Sequence, residues 1–488
     1  MTEPLAGDEV RKRATGGAAL LAARGALVFG LGIGANLVLA RLLEPRDLGL
    51  VGIGSVLIVL GGYLASGGLG AALVRRPEPP TERELQAVDA LQIALTVALT
   101  LVVTAAAVPF GRDGFVVAVM VASVPVTIVR APAIIVLERR ITYGTIAKVD
   151  VLEAVVFYAW AIAAVALGAG VWGMATAMVV RAVVGTGAMA RLGPLGLVRP
   201  RWSWAAVRPL LKFGAKLQAV SVVAIVREQG INLAVAAVGG IATLGAWTLA
   251  YRVLQAPQLV FTTASRVSYP AMSRLLDAGR DPRAAIERGI ANLTVATAVV
   301  LVAIAGFAPA LPDLIGPEWH EVPATLAAAC GAIIVGAPIY IMAVGYLYAA
   351  DRAGAVLRAM VAYTVAWFAV TLPLIPPLGA PAIGLGWIAG SLVSTVMLAR
   401  QTTRHTGASI TATVLPPVAL ATLAGAAGWA VGTAGHSTLL QGGLGAATGE
   451  AALLLGLALV RRDLLRDAWR LLVEAARGAV APQPEVPL

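Results

Sequence analysis

One cysteine and three histidines occur in 488 residues, and charged residues make up only 13% of the chain. A single cysteine, Cys330, excludes an internal disulfide and a thiolate metal cluster. His320, His405 and His436 fall on different expected loops, so no metal-ligand set is visible. Only four lysines are present and none follows a glycine, which removes the GxxxxGK(S/T) phosphate loop and an ATP motor built on it. Neither HExxH nor CxxC occurs, and no long loop offers room for a catalytic constellation. The sequence therefore calls for no cofactor or metal and does not read as an enzyme. Soluble proteins carry about 25% charged residues. Half that fraction points to lipid as the solvent.

What the chain has instead is apolar length. Hydrophobic residues reach 59% and mean hydropathy is +0.85. A spanning helix needs about 20 mostly apolar residues. About fourteen stretches qualify. They run near 16–42, 48–74, 85–110, 114–138, 146–168, 171–190, 209–238, 241–270, 286–311, 322–350, 354–374, 379–400, 410–433 and 439–460. These runs are continuous rather than alternating, which argues against a barrel. The expected fold class is an all-α integral membrane protein.

The charges orient it. Basic residues fall on every second gap between apolar runs: Arg11–Arg13, Arg75–Arg76, Arg139–Arg140, Arg191 to Lys216, Arg266 to Arg288, Arg352 with Arg358, Arg400 with Arg404, and Arg461 to Arg477. The intervening gaps hold only Arg41, Arg46 and Arg112 beside several acids. Cytoplasmic loops keep the excess of Lys and Arg, so both termini are expected inside the cell membrane. The net charge of +11 then reflects loop orientation and anionic inner-leaflet lipid rather than nucleic acid. Trp202 and Trp204 beside Arg199 and Arg201 suit an interfacial anchor. The segment Arg461–Arg477 reads as an amphipathic helix lying on the inner leaflet.

A weak internal repeat divides the spans. Leu48–Gly49–Leu50–Val51–Gly52 opens the second and Leu244–Gly245–Ala246–Trp247–Thr248 opens the eighth, each after an outer turn. Parallel repeats of this kind build two-bundle transporters. The expected organisation is a cytoplasmic segment 1–15, a six-helix bundle 16–190, a cytoplasmic linker 191–208, a second six-helix bundle 209–400, two further helices in 410–460, and a cytoplasmic tail 461–488.

Seven ionisable residues within the expected spans stand out: Arg24, Arg130, Arg181, Arg227, Glu228, Arg252 and Glu450. A charge at mid-bilayer costs roughly 2.5–3.5 kcal/mol on insertion scales. Such residues face a bundle interior or water and mark function by default. The five arginines are expected to make a cationic cavity that binds an anionic substrate, with Arg24, Arg227 and Arg252 facing the cleft. Snorkelling to the inner surface competes as an account of Arg130 and Arg181. Glu228 and Glu450 are read as ion- or proton-coupling residues, against helix pairing or charge compensation. Asn36, Gln92, Gln218, Gln229 and Asn232 are further polar positions. Of these, Asn36, Gln218 and Asn232 are read as cavity lining, although hydrogen bonds between helices compete. Gly30 with Gly34, and Gly428 with Gly432, suit close helix packing. Pro125, Pro132, Pro257, Pro338 and Pro373 mark kinks or breaks.

Asn36-Leu-Val-Leu-Ala-Arg41-Leu-Leu-Glu-Pro-Arg-Asp-Leu-Gly-Leu50, followed by Gly67-Gly-Leu-Gly-Ala-Ala-Leu-Val-Arg-Arg76, resembles polysaccharide-biosynthesis oligosaccharide flippases of the multidrug/oligosaccharidyl-lipid/polysaccharide (MOP) exporter superfamily. Leu244 to Arg252 and Ser268 to Arg274 resemble the start of that family's second half. The resemblance implies two six-helix bundles in a V-shaped arrangement, like that of MATE transporters, plus two C-terminal helices. The implied cargo is an undecaprenyl-diphosphate-linked oligosaccharide, moved by alternating access for surface polysaccharide or lipopolysaccharide synthesis. The partners it implies are this lipid-linked substrate, membrane lipids, a polysaccharide polymerase and glycosyltransferases. Family members often carry an acid near the end of the seventh span, where this chain has Ile231–Asn232. A cation-coupled drug exporter of the same superfamily and a cell-wall-precursor flippase are the alternatives.

Overall fold

A polypeptide in hydrocarbon must satisfy its own backbone hydrogen bonds, and a chain of continuous apolar runs does so as helices. The computed structural model describes residues 7–76, 78–434 and 439–466, and it is helical throughout them with short connections. The expected amphipathic tail beyond Arg466, like the first six residues, lies outside that range. Contacts divide the chain into two compact units, Met1–Thr248 and Leu249–Leu488.

The first unit holds α1 (Gly7–Leu42), α2 (Pro45–Ser66), α3 (Leu69–Arg75), α4 (Glu82–Ala107), α5 (Gly111–Val121), α6 (Ser123–Ile128), α7 (Ala131–Arg139), α8 (Tyr143–Ala164), α9 (Val171–Leu192) and most of α10 (Trp204–Val253). Local chemistry sets the starts. Glu44 and Asp47 exchange hydrogen bonds with each other's backbone, and Pro45 supplies a helical φ at the first position of α2. Thr81 and Glu84 do the same for α4, with the Thr81 N–H donating to Glu84 Oε2 at 2.9 Å. The expected span 114–138 is broken into α5, α6 and α7, because Pro125 and Pro132 each sit in a first turn and end the helix before them. The expected turn between 209–238 and 241–270 is a bend inside α10, where Gly240 has φ 83°. The boundary between the units falls in α10 as well, beyond the linker expected at 191–208.

The two copies of the repeat touch within this unit. A methyl on Gly49 would strike the Ile241 carbonyl, and one on Gly245 would strike the Pro45 carbonyl and lie 2.9 Å from the Gly49 nitrogen. A methyl on Gly52 would lie 2.8 Å from Thr248 Oγ1. Helix backbones meet here, with only the Ile241, Leu244 and Thr248 side chains beside the glycines.

The second unit holds α11 (Gln255–Asp277), α12 (Arg283–Phe307), α13 (Leu311–Ile315), α14 (Val322–Ala349), α15 (Ala353–Leu378), α16 (Pro381–Thr406), α17 (Ile410–Thr433) and α18 (Leu439–Val460). Glycines join α12, α17 and α18. A methyl on Gly428 would lie 2.7 Å from the Gly445 carbonyl and 3.3 Å from Gly306 Cα, and one on Gly432 would lie 2.7 Å from the Gly306 carbonyl. The Gly428–Gly432 pair is thus a packing surface, whereas Gly30 and Gly34 have open space around them. Pro338 and Pro373 sit inside continuous helices.

Twelve stretches of the described helices are long and apolar enough to cross a membrane, where about fourteen were expected. The difference has two sources. The stretches expected at 85–110 and 114–138 join into one of 47 residues, Glu82–Ile128, and those at 209–238 and 241–270 give one, Ile225–Val253. Leu101, Val102, Leu423, Leu455 and Leu459 are exposed on these helices, as surfaces facing lipid allow. The chain is a multi-pass membrane protein.

Gly245→Ala should cost about 1–3 kcal/mol through overpacking, read as a lower unfolding temperature of the purified protein. Gly30→Ala, with open space around it, should be neutral or mildly stabilising. Equal unfolding temperatures for the two variants would contradict the backbone contact.

Candidate functional site

α8 carries two acids three residues apart, Asp150 and Glu153, so both lie on one helix face. Three of the five arginines from the expected cavity converge on them. Arg24 of α1 reaches across so that its Nη2 lies 2.7 Å from Asp150 Oδ2. Arg130, in the break between α6 and α7, pairs with Glu153 Oε1 through Nη1. Arg181 of α9 places Nε 3.4 Å from the other oxygen of the same carboxylate. Gly185, on the same helix as Arg181, leaves the room this needs: a methyl there would collide with the Glu153 carboxylate and lie 2.7 Å from Arg130 Nη1.

The network has a locked centre and two accessible arms. The side chains of Glu153 and Arg130 are 2% and 10% exposed, whereas those of Arg24 and Arg181 are 37% and 51% exposed. Three guanidiniums face two carboxylates, leaving one positive charge on the cluster. The arginines of the expected cationic cavity are thus partly compensated: Arg24, Arg130 and Arg181 each have an acid partner. Two of these guanidiniums, those of Arg24 and Arg181, are held by a carboxylate yet remain partly exposed.

The other expected site residues lie elsewhere. Arg227 pairs with its neighbour Glu228 at 3.2 Å, the arginine mostly covered and the acid half exposed. Asn232 Oδ1 accepts from Trp247 Nε1 at 3.0 Å, tying the two arms of α10 across the Gly240 bend. Asn36 Nδ2 donates to the Gly32 carbonyl one turn back, at 2.7 Å. The side chain of Gln218 lies outside those described. Arg252 is half-buried and belongs to the second unit. Glu450 on α18 has one carboxylate oxygen buried without a hydrogen-bond partner among the described residues. Past α18, a hydrogen bond from Arg461 holds the Asp463 carboxyl below its usual range.

Asp150 and Glu153 escape a reading that looks for arginines, although Lys148-Val-Asp150-Val-Leu-Glu153 stands in the first part of the span expected at 146–168. Two acids three apart in an apolar run are the signal that finds them.

The model of the polysaccharide biosynthesis protein family matches residues 38–324, more than half of the chain. The chain belongs to that family. No curated protein matches this member in sequence. Among solved structures, it is similar over 92% of its length to all of a lipid II flippase, MurJ, in an inward closed conformation, with a TM-score of 0.70 at 12% identity. An inward-facing multidrug-resistance MATE transporter of the MOP superfamily matches 79% of this chain with 94% of its own, at a TM-score of 0.55 and 16% identity. At these identities the likeness establishes a fold of the MOP type.

Glu153→Gln should leave Arg130 as a buried, uncompensated charge and cost roughly 3–5 kcal/mol of stability. The double variant Arg130→Met with Glu153→Met should recover most of that loss. Unfolding in detergent or lipid checks both, and an unaffected Glu153→Gln protein would contradict the pairing.

Proposed function

We propose that the protein is a flippase. It moves undecaprenyl-diphosphate-linked oligosaccharide from the inner to the outer leaflet of the cytoplasmic membrane by alternating access, for surface polysaccharide synthesis. Family membership supports the setting. The observation that carries the reading is the α8 network, with Arg24 and Arg181 half exposed beside carboxylates among apolar helices.

The physics of the cargo asks for such a feature. A hydroxyl taken unpaired into hydrocarbon costs roughly 4–8 kcal/mol on the cyclohexane scale. An oligosaccharide with many hydroxyls cannot cross unaided and needs a wet path. Its diphosphate needs cations that form charge-assisted hydrogen bonds in fixed geometry, which guanidinium provides. Arg24 and Arg181 would meet phosphate oxygens and return to Asp150 and Glu153 when the cargo leaves. Arg252, Arg227, Asn36, Gln218 and Asn232 remain in this proposal as further substrate contacts, and Glu228 and Glu450 as coupling groups. With the cytoplasm negative, outward movement of an anion gains about 2.3 kcal/mol per charge per 100 mV. No ATP motor is then required.

The reading includes both termini inside, two six-helix bundles, and a polymerase and glycosyltransferases as neighbours in the pathway. A cell-wall-precursor lipid is the second reading, favoured by the fold likeness to a lipid II flippase. It shares the diphosphate chemistry. A cationic drug fits half-exposed arginines poorly.

Arg24→Ala and Arg252→Ala should each abolish glycan export while the protein inserts at normal levels, and Arg24→Lys should restore only part of it, because lysine lacks the bidentate fork. Export at the wild-type rate by both alanine variants would overturn the proposal. Export of cell-wall precursor in place of glycan would favour the second reading.

A further inference from the structure

The first unit contains a second acid that the α8 network does not use. Asp89 on α4 is fully buried, and neither of its carboxylate oxygens has a hydrogen-bond partner among the described residues. Three residues on, Gln92 is 3% exposed, and its side-chain carbonyl oxygen is likewise buried without a partner. Thr96, one turn further along the same face and fully buried, spends its hydroxyl proton on the Gln92 main-chain carbonyl at 2.8 Å. Residues three apart on a helix hold their Cβ atoms roughly 5–6 Å apart. Three acceptor oxygens thus share one strip of helix, and the Gln92 Nε2 donates to none of them.

Among the described side chains, the surroundings are apolar. Leu85, Val88 and Leu91 of α4 pack with Leu69 and Leu73 of α3, Ile135 and Val136 of α7, and Val207 and Leu210 of α10. Among the described residues no hydrogen bond reaches the Asp89 carboxylate. The described charged groups of the helices packed around α4 are occupied or exposed, Arg208 of α10 among the latter, and the side chains of Arg75 and Lys212 lie outside those described. Arg46 of α2 pairs with Asp113 of α5, and Arg130 with Glu153. Asp47 bonds the Glu44 backbone, and Arg139 of α7 donates to the Leu73, Val74 and Arg76 carbonyls. Tyr63, Arg112 and Glu138 are exposed. On α4 itself, Glu84 is held by Arg76 and Thr81, and Gln86 holds Glu82.

A buried carboxylate has to be paired, hydrogen-bonded or neutralised by a bound cation. A metal ion such as Na+ would want more oxygens than this strip supplies. One proton goes furthest: on Asp89 it removes the charge and makes a hydroxyl that donates to the Gln92 carbonyl oxygen, so two of the three orphaned acceptors are used and the remaining Asp89 oxygen is a neutral carbonyl. We propose that Asp89 and Gln92 form a proton-binding site in the membrane part of α4, with Asp89 carrying the proton and Gln92 accepting its hydrogen bond. The site lies about two turns from the start of α4, beside the basic gap at Arg75–Arg76. Releasing the proton would leave a bare charge in an apolar layer. Release is therefore tied to a rearrangement that admits water between α4 and α3, α7 or α10, whatever the cargo is.

Infrared difference spectra of the full-length protein in liposomes test this. The wild type at neutral pH should show a protonated-carboxyl stretch that is lost in Asp89→Asn and shifted in Gln92→Leu, where the acceptor is gone. Asp89→Asn, whose amide donates as the protonated acid does, should keep the wild-type unfolding temperature. Adding Na+ at constant pH should leave the band in place. The proposal falls if the wild type and Asp89→Asn give the same carboxyl bands, if Gln92→Leu leaves the band unshifted, or if Na+ abolishes it.

Discussion

Moving an ion out of water costs several kcal/mol even after a protein relaxes around it, and α8 meets that cost for three arginines together. Asp150 and Glu153 share a face, so one helix neutralises residues arriving from α1, from the α6–α7 break and from α9. This gathers four parts of the first unit around one centre. Pro132 breaks the helix and puts Arg130 within reach, and Gly185 keeps α9 close enough for Arg181 to share the same carboxylate. The cluster is the charge compensation that lets these residues enter the membrane, and the proposed cargo site rests on it.

Where charges do not hold helices together, small residues do. Lipid tails are as apolar as leucine, so association in a bilayer relies on close packing and interhelical hydrogen bonds. The second unit answers with glycine: Gly306, Gly428, Gly432 and Gly445 bring three backbones into direct contact. The two C-terminal spans are therefore clamped onto α12 and belong to the packed body of that unit.

The membrane class, the family and most helices could be read from the chain because they rest on long-range averages. Apolar length defines a span, whatever the details of packing. The span at 114–138 broke at Pro125 and Pro132, where proline's local effect overrides apolar length. The bend at Gly240 needs no loop residues, so it leaves little trace in composition. The site was half legible. Arginines in apolar runs announce themselves, but their partners sit where a span begins and pass for the edge of a loop. Asp89 and Gln92 went unpaired in the reading for a similar reason: whether a polar group near a helix end is buried depends on which neighbours cover it. The repeat at Leu48 and Leu244 was visible as wording, and only the structure reveals that the two copies lie against each other.

That last contact has a consequence for sequence tolerance. Where Gly49 meets Ile241 and Gly245 meets Pro45, backbone approaches backbone with only the Ile241, Leu244 and Thr248 side chains beside them. Any residue larger than glycine at 49 or 245 must push α2 and α10 apart, so two missing side chains set how near these helices can lie.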